Sequence, residues 1–124
     1  MDWNTLIKHD YKNNKILRKN DIQELYNKER KNNINYDKYI LEKYLDNKLY
    51  NLIPNKYPYN LKNNIKHYVL WLHPMLKQKH INDKKFIYKL LKAQIKNNEF
   101  YFYMNPQKYK SIKSIPHYQV FIKI

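Results

Sequence analysis

The residues best suited to chemistry in this sequence lie near its C-terminal end, between residues 105 and 120. Ammonium and hydroxyl donors that converge in a turn suit the oxygen atoms of a phosphate or a sugar phosphate. This stretch contains one histidine, His117, and a second histidine, His67, lies in an earlier strand-like run. If one imidazole were neutral and the other protonated near pH 7, the two could serve as general base and general acid. The stretch reads NPQKYKSIKSIPHYQV and contains Lys110, Ser111, Lys113, Ser114 and His117.

Both histidines fall in segments that have the character of β-strands. We predict strands over residues 66–72, 100–104 and 117–124, which are rich in aromatic and branched side chains. Because successive strand residues alternate between faces, His67 shares a face with Trp71, and His117 shares one with Gln119. If the purely apolar faces form the core, the two histidines lie on the same other face of one sheet.

Four helices are predicted from the spacing of apolar residues. Their expected bounds are 2–13, 20–32, 35–50 and 82–98. The chain has no glycine, so asparagine is expected at left-handed turn positions, and Asn-Asn pairs at 13–14, 32–33, 63–64 and 97–98 are predicted to end the periodic segments. Residues 53–59 contain two prolines and are predicted to form an ordered loop.

Helices first and short strands later, without βαβ alternation, predict an α+β fold. We expect one domain over residues 1–124, with N-terminal helices packed on a small antiparallel sheet of about three strands and one further helix between strands. The 43% of hydrophobic residues is too high for a disordered chain. The longest apolar run, 68–72, is too short to cross a bilayer, so a soluble intracellular protein is expected.

Several chemistries are excluded or disfavoured by composition. Without cysteine there is neither a disulfide nor a thiolate metal site, and the acidic residues mostly lie on predicted helices away from the histidines, so we predict no metal. Without glycine there is neither a Gly-rich phosphate loop nor a nucleophile elbow. No cofactor is predicted. Whether the chain catalyses a reaction stays open at this point.

The formal net charge of +15 indicates attraction to polyanions. However, Lys, Asn, Ile and Tyr, all encoded by codons of A and T alone, dominate the composition, so an AT-rich genome could explain much of the lysine. Arginine, which grips phosphate with a planar fork, occurs only at Arg18 and Arg30. We therefore expect non-specific rather than specific attraction to nucleic acid.

Several motifs, in one order along nearly the whole chain, resemble the fungal N-acetylglucosamine-induced protein family, a domain of unknown function that also occurs in large DNA viruses. Two positions depart from the family pattern: Lys56 stands at an acidic position, and Gln119 replaces a second histidine. The resemblance supplies no reaction. The matching segments are Trp3, Arg18, NKYPY at 55–59, HYVLW at 67–71, Asn105, KSIKS at 110–114 and HYQV at 117–120.

Taken together, these patterns predict a cleft that recognises a phosphorylated small molecule such as a nucleotide or an amino-sugar derivative; whether it also processes that molecule stays open. His67 and His117 are the candidate catalytic residues. Two alternatives stay open: a basic nucleic-acid-binding protein, for which a viral setting is one reading, and an adaptor that binds a partner protein. The candidate ligand-binding residues are Asn55, Tyr59, Trp71, Asn105, Lys110, Ser111, Ser114 and Gln119.

Overall fold

A four-stranded antiparallel sheet forms the centre of the computed structural model, which describes residues 1–32, 35–110, 112 and 114–124. The strands are β1 (Tyr50–Pro54), β2 (Ile65–Leu72), β3 (Phe100–Tyr103) and β4 (His117–Lys123), in the spatial order β1-β2-β4-β3. The two histidine-bearing strands, β2 and β4, are therefore the central pair. Trp71 lies opposite His117 and Val69 opposite Gln119 in their register.

In the described part of the chain five α-helices surround the sheet: α1 (Trp3–Lys8), α2 (Asn20–Asn32), α3 (Tyr36–Tyr44), α4 (Gln78–Ile81) and α5 (Lys84–Ile95). Helices α1 and α3 have side-chain caps: the side chain of Asp2 accepts a hydrogen bond from the Thr5 amide at 2.9 Å, and that of Asn35 accepts one from the Lys38 amide at 3.3 Å. These bonds satisfy amide groups that the first turn of a helix leaves unpaired. Among the described residues, no helix is both long and apolar enough to span a membrane.

Apolar side chains cover both faces of the sheet. On one face α4 and α5 pack with Leu70, Leu72 and Val120 in a cluster that includes Ile87 and Leu91. The other face, which carries both histidines, is covered by α1, α3 and the loops between the elements. The α+β class, the antiparallel sheet and the helix between strands are confirmed, and the histidine face is buried rather than open to solvent.

Three details of the predicted elements are wrong. Residues 50–54 form an edge strand, which had been divided between the third helix and the proline loop; Pro54 is tolerated because it ends a strand at the edge of the sheet. The third helix ends at Tyr44 rather than near residue 50. The short helix α4 (Gln78–Ile81) was not predicted; it precedes the predicted fourth helix, which is α5 and which Asp83 caps through the amides of Lys85 and Phe86.

Candidate functional site

The two histidines share a sheet face, as predicted, but they do not share a cleft. Both are buried, each with 6% of its surface exposed. Of the two, only His117 lines the cavity described below, where it is joined by Trp71 and Gln119. His67 lies behind Gln119, stacked on Phe121 with ring centroids 4.6 Å apart. Their surroundings therefore have to be considered separately.

Both ring nitrogens of His67 are occupied by protein groups. Nδ1 accepts a hydrogen bond from the Tyr59 amide at 3.1 Å, so in the neutral ring the proton is on Nε2. Nε2 then donates to Oε1 of Gln119 at 2.6 Å. Burial lowers the pKa of His67 to about 3, so the ring is neutral near pH 7. These contacts describe a positioning residue rather than a base that is free to take a proton.

The His67 bond fixes the orientation of the Gln119 side chain. Because Oε1 accepts from the imidazole, the amide group of Gln119 is the end that remains to donate, and among the described residues it has no hydrogen-bond partner. Gln119 lines the cavity. The hydrogen bonds from the Tyr59 amide to His67 and from His67 to Gln119 thus leave the Gln119 amide N–H as a donor for the cavity.

His117 has the opposite tautomer. Its Nδ1 lies 2.8 Å from the carbonyl oxygen of Ile115, which can only accept, so Nδ1 carries the proton and Nε2 carries the lone pair. Burial, with a smaller contribution from the nearby Lys110 ammonium, lowers the pKa of His117 to about 4. The ring is neutral near pH 7 and offers an acceptor. With both imidazoles neutral, the environment gives no support to the predicted pairing of general acid and general base.

A cavity lies on this face between the sheet, α2, α3 and the loop that follows β1. Its volume is about 60 Å³. This volume is below the roughly 300–1,000 Å³ of sites that enclose a whole drug-sized ligand, so the cavity can enclose only a small group. Five of its lining side chains are aromatic rings besides His117: Tyr26, Tyr36, Tyr44, Tyr57 and Trp71.

Two buried polar atoms of this lining have no partner among the described residues. They are the hydroxyl of Tyr26 and Nε1 of Trp71. An unpaired buried donor costs about 1–3 kcal/mol, so folded proteins rarely leave one without a function or a bound water. Both belong to residues that line this cavity, and Gln119 is a third lining residue with an unused amide N–H. The lining residues therefore carry three donors that have no partner among the described residues.

Cations, but no acidic side chains, line the cavity in the described part of the chain. The two cations are Arg18 and Lys56. Arg18 is held from both sides, because its Nε donates to the Tyr57 carbonyl at 2.8 Å and its guanidinium lies 4.5 Å from the ring centre of Tyr26. Lys56 pairs with Glu29 at 2.9 Å, and this ion pair raises the pKa of Lys56. The electrostatic balance of the lining favours an anionic ligand.

Most other predicted site residues support the structure or lie elsewhere. Asn55 lines the cavity and accepts a hydrogen bond from the Tyr57 amide, whereas Asn105 donates to the hydroxyl of buried Tyr59 at 3.1 Å, away from the cavity. Ser114 is exposed and donates to Asp37 of α3. Ser111 lies outside the described residues. Lys110 is half-buried, which lowers its pKa, and it does not line the cavity.

Sequence reasoning missed four contributors to this cavity. Tyr26, Tyr36 and Tyr44 lie within the predicted helices 20–32 and 35–50 and were not assigned to a site, and Arg18 was assigned only to a family motif. The one available signal was Arg18 itself, since arginine is so rare in this lysine-rich chain. No group of three or more His, Asp or Glu side chains within the described ranges could hold a metal ion.

The fold and the cavity define a small α+β domain that carries an aromatic, cationic cavity on one face of its sheet. A family model described as "Protein of unknown function (DUF3605)" matches residues 2–123, and the chain belongs to this family. No curated protein matches the chain significantly. The crystal structure of HTC1 is similar, with a TM-score of 0.64 and 19% identity over 88% of this chain and 76% of that one. This likeness shows the fold alone.

Proposed function

We propose that the cavity binds a phosphorylated small molecule, such as a nucleotide or an amino-sugar derivative. The observation that carries this proposal is the set of unused donors: Nε1 of Trp71, the hydroxyl of Tyr26 and the Gln119 amide, beside Arg18 and with no carboxylate in the described lining. Donors of this kind, fixed before the ligand arrives, suit phosphate oxygens.

The volume indicates which part of the ligand enters. About one water-sized probe volume, roughly 10–15 Å³, is needed for one water molecule, so a cavity of about 60 Å³ admits a group of a few atoms, the size of a phosphate. A sugar ring or a base would lie outside it. Tyr36 and Tyr44, two half-buried residues of the lining, would provide aromatic surface for such a ring.

One acceptor distinguishes among such ligands. The lone pair on Nε2 of His117 can take a hydrogen bond from a ligand hydroxyl or amide N–H, which gives a preference for a sugar or N-acyl amino sugar over a bare phosphate. The resemblance to the fungal N-acetylglucosamine-induced protein family points to the same class. The neutral imidazoles support recognition rather than turnover, so we propose binding and no reaction.

The test is a thermal-shift screen of nucleotides, nucleotide sugars and sugar phosphates. A ligand at a hundred times its dissociation constant adds about 2.7 kcal/mol of apparent stability. The informative variant is Trp71→Phe, which removes an N–H that has no partner among the described residues but keeps an aromatic ring. Trp3→Phe is the matched control, since Trp3 packs in another buried cluster.

We expect one compound class to stabilise the wild type and the Trp3→Phe protein and to stabilise the Trp71→Phe protein much less, each compared with its own ligand-free melting temperature. Stabilisation that Trp71→Phe leaves unchanged would contradict the proposed site. So would a screen in which no phosphorylated compound stabilises the folded wild-type protein.

A further inference from the structure

The positive charge of this protein is unevenly distributed along the chain. Residues 1–46 contain ten Lys and Arg against eight Asp and Glu, whereas residues 47–124 contain fifteen Lys against two acids. The lysine frequency is similar in the two parts, at eight in the first 46 residues and fifteen in the next 78. A uniform codon bias would account for that similarity but not for the depletion of acids after residue 46.

Helix α5 presents a row of these unbalanced lysines. Lys85, Lys89, Lys92 and Lys96 follow one another at intervals of four, three and four residues, so they share one face of the helix and of the turn that ends it. All four are exposed, and none pairs with an acid in the described part of the chain. We call these four residues the α5 lysine row.

The row lies on the side of α5 that points away from the sheet. Ile87 and Leu91 are fully buried against the sheet, and at 100° per residue the lysines lie roughly opposite them. The sheet separates the row from the cavity, since α5 covers the face of Leu70 and Val120 whereas the cavity lies on the face of Trp71 and His117. The two surfaces are therefore independent.

We infer that the α5 lysine row binds the phosphate backbone of nucleic acid without reading its sequence. From Lys85 to Lys96 the helix rises about 16 Å, over which one strand of a duplex presents about five phosphates. The row thus supplies nearly one cation per phosphate. It contains no arginine, the side chain that most often reads guanine through a bidentate contact, so the bases are not distinguished.

The same row does not suit a membrane surface. A helix that lies in a bilayer interface needs an exposed apolar side to insert below the lipid headgroups. In α5 the apolar side is buried against the sheet, and the largest exposed apolar residue is Tyr88, which contacts Phe100 with ring centroids 5.3 Å apart. The helix offers charge without insertion, so we assign nucleic acid as the partner.

Fluorescence anisotropy with labelled duplex and single-stranded oligonucleotides of random sequence tests this inference. Four phosphate contacts give a slope of log K against log salt near −3.6, so affinity for duplex should fall about 150-fold between about 50 and about 200 mM salt. The test variant replaces the row: K85Q, K89Q, K92Q and K96Q. The control replaces four exposed lysines of the first 46 residues and has the same net charge: K8Q, K15Q, K28Q and K31Q.

We expect the row variant to lose most of its affinity and most of its salt dependence for nucleic acid, while the control variant keeps most of both. Equal losses in the two variants would overturn the inference, because they would indicate net charge alone. Binding to vesicles of phosphatidylserine, but not to either oligonucleotide, would also overturn it. Far-UV circular dichroism and melting of both variants show that the fold persists.

Discussion

Replacing Tyr26 by phenylalanine should stabilise the ligand-free protein. The hydroxyl of Tyr26 is buried and has no partner among the described residues, whereas its ring packs edge-on against Tyr57 at 4.9 Å and carries the guanidinium of Arg18. A phenylalanine ring keeps both ring contacts and removes only the unpaired hydroxyl. Burying such a group costs about 1–3 kcal/mol, so we expect the free energy of unfolding to rise by about 1 kcal/mol.

The matched control is Tyr118→Phe. Tyr118 is also buried, but its hydroxyl donates to the carbonyl oxygen of Ile81 at 2.7 Å on the opposite face of the sheet. Loss of that bond leaves a carbonyl without its donor and should lower the free energy of unfolding by about 1 kcal/mol. The two conservative changes are thus expected to act in opposite directions.

Urea denaturation and thermal melting of the two variants measure this difference. For a domain of this size, 1 kcal/mol corresponds to roughly 4 °C in melting temperature. In the presence of a stabilising ligand from the screen the order should reverse, because Tyr26→Phe removes a donor that the ligand uses. If Tyr26→Phe instead destabilises the ligand-free protein as much as Tyr118→Phe does, the Tyr26 hydroxyl has a partner and the reasoning about unused donors is refuted.

Three further predictions follow from individual contacts. Burial holds the pKa values of His67 and His117 near 3 and 4, against 6.5 for a free histidine, so below about pH 6.5 the unfolded chain binds more protons than the folded one. The free energy of unfolding should therefore decrease as the pH is lowered from about 6.5 to about 4, by up to roughly 1.4 kcal/mol per pH unit for each histidine. His117→Gln should remove about half of that slope in urea melts. Lys96 has a positive φ angle of 54° at the end of α5, so Lys96→Gly should raise the free energy of unfolding. Lys92→Gly, inside the helix, should lower the free energy of unfolding by about 1 kcal/mol, and thermal melting measures both. Asn105→Ala should lower the free energy of unfolding by about 1 kcal/mol, because the hydrogen bond to Tyr59 is lost, and should leave ligand binding unchanged in the thermal-shift assay. A loss of binding would show that Asn105 belongs to the ligand site.

Local sequence signals were sufficient for most of the fold. The first and third predicted helices begin at Asp2 and Asn35, whose side chains satisfy amides within the same turn, which is a property of the adjacent residues. The Asn-Asn pairs at 13–14, 63–64 and 97–98 do fall in turns, while the pair at 32–33 lies partly outside the described residues. The positive φ angle of an asparagine occurs instead at Asn47.

Strand β1 could not be predicted locally because its pairing partner is distant. Tyr50 pairs with Leu72 and Pro54 with Tyr68, and nothing in residues 50–54 alone specifies these contacts. Two prolines nearby and the preceding helical pattern favoured a loop and a longer helix. Tertiary pairing overrode those preferences, as it commonly does for short edge strands.

For the candidate site too, local patterns were predictable from the sequence and tertiary contacts were not. Strand alternation correctly placed His67 and His117 on one face, because that requires only the period of a strand. Strand alternation could not show that His67 is enclosed behind Gln119. It also could not show that Arg18 and Tyr26, which precede β2 by some forty residues, line the cavity, because those contacts depend on how α2 packs. The positions of the histidines in the sequence were thus sufficient to predict which face of the sheet carries the site. The residues that line the cavity are determined by three-dimensional packing.

A binding titration of the Gln119→Glu variant tests the central proposal most directly. One carboxylate oxygen of glutamate can still accept from Nε2 of His67, while the other replaces the amide donor with a negative charge that faces the cavity. Like charges brought together in a binding site cost several kcal/mol. Gln94→Glu, on the exposed side of α5, makes the same change in net charge away from the cavity and is the control.

Isothermal titration calorimetry with the best phosphorylated compound of the screen, and with its dephosphorylated counterpart, gives the result. We predict that wild-type and Gln94→Glu proteins bind the phosphorylated compound, that removal of the phosphate weakens binding by at least about tenfold, or 1.4 kcal/mol, and that Gln119→Glu abolishes it. Unchanged binding to a folded Gln119→Glu protein would contradict the proposal that this cavity recognises a phosphate.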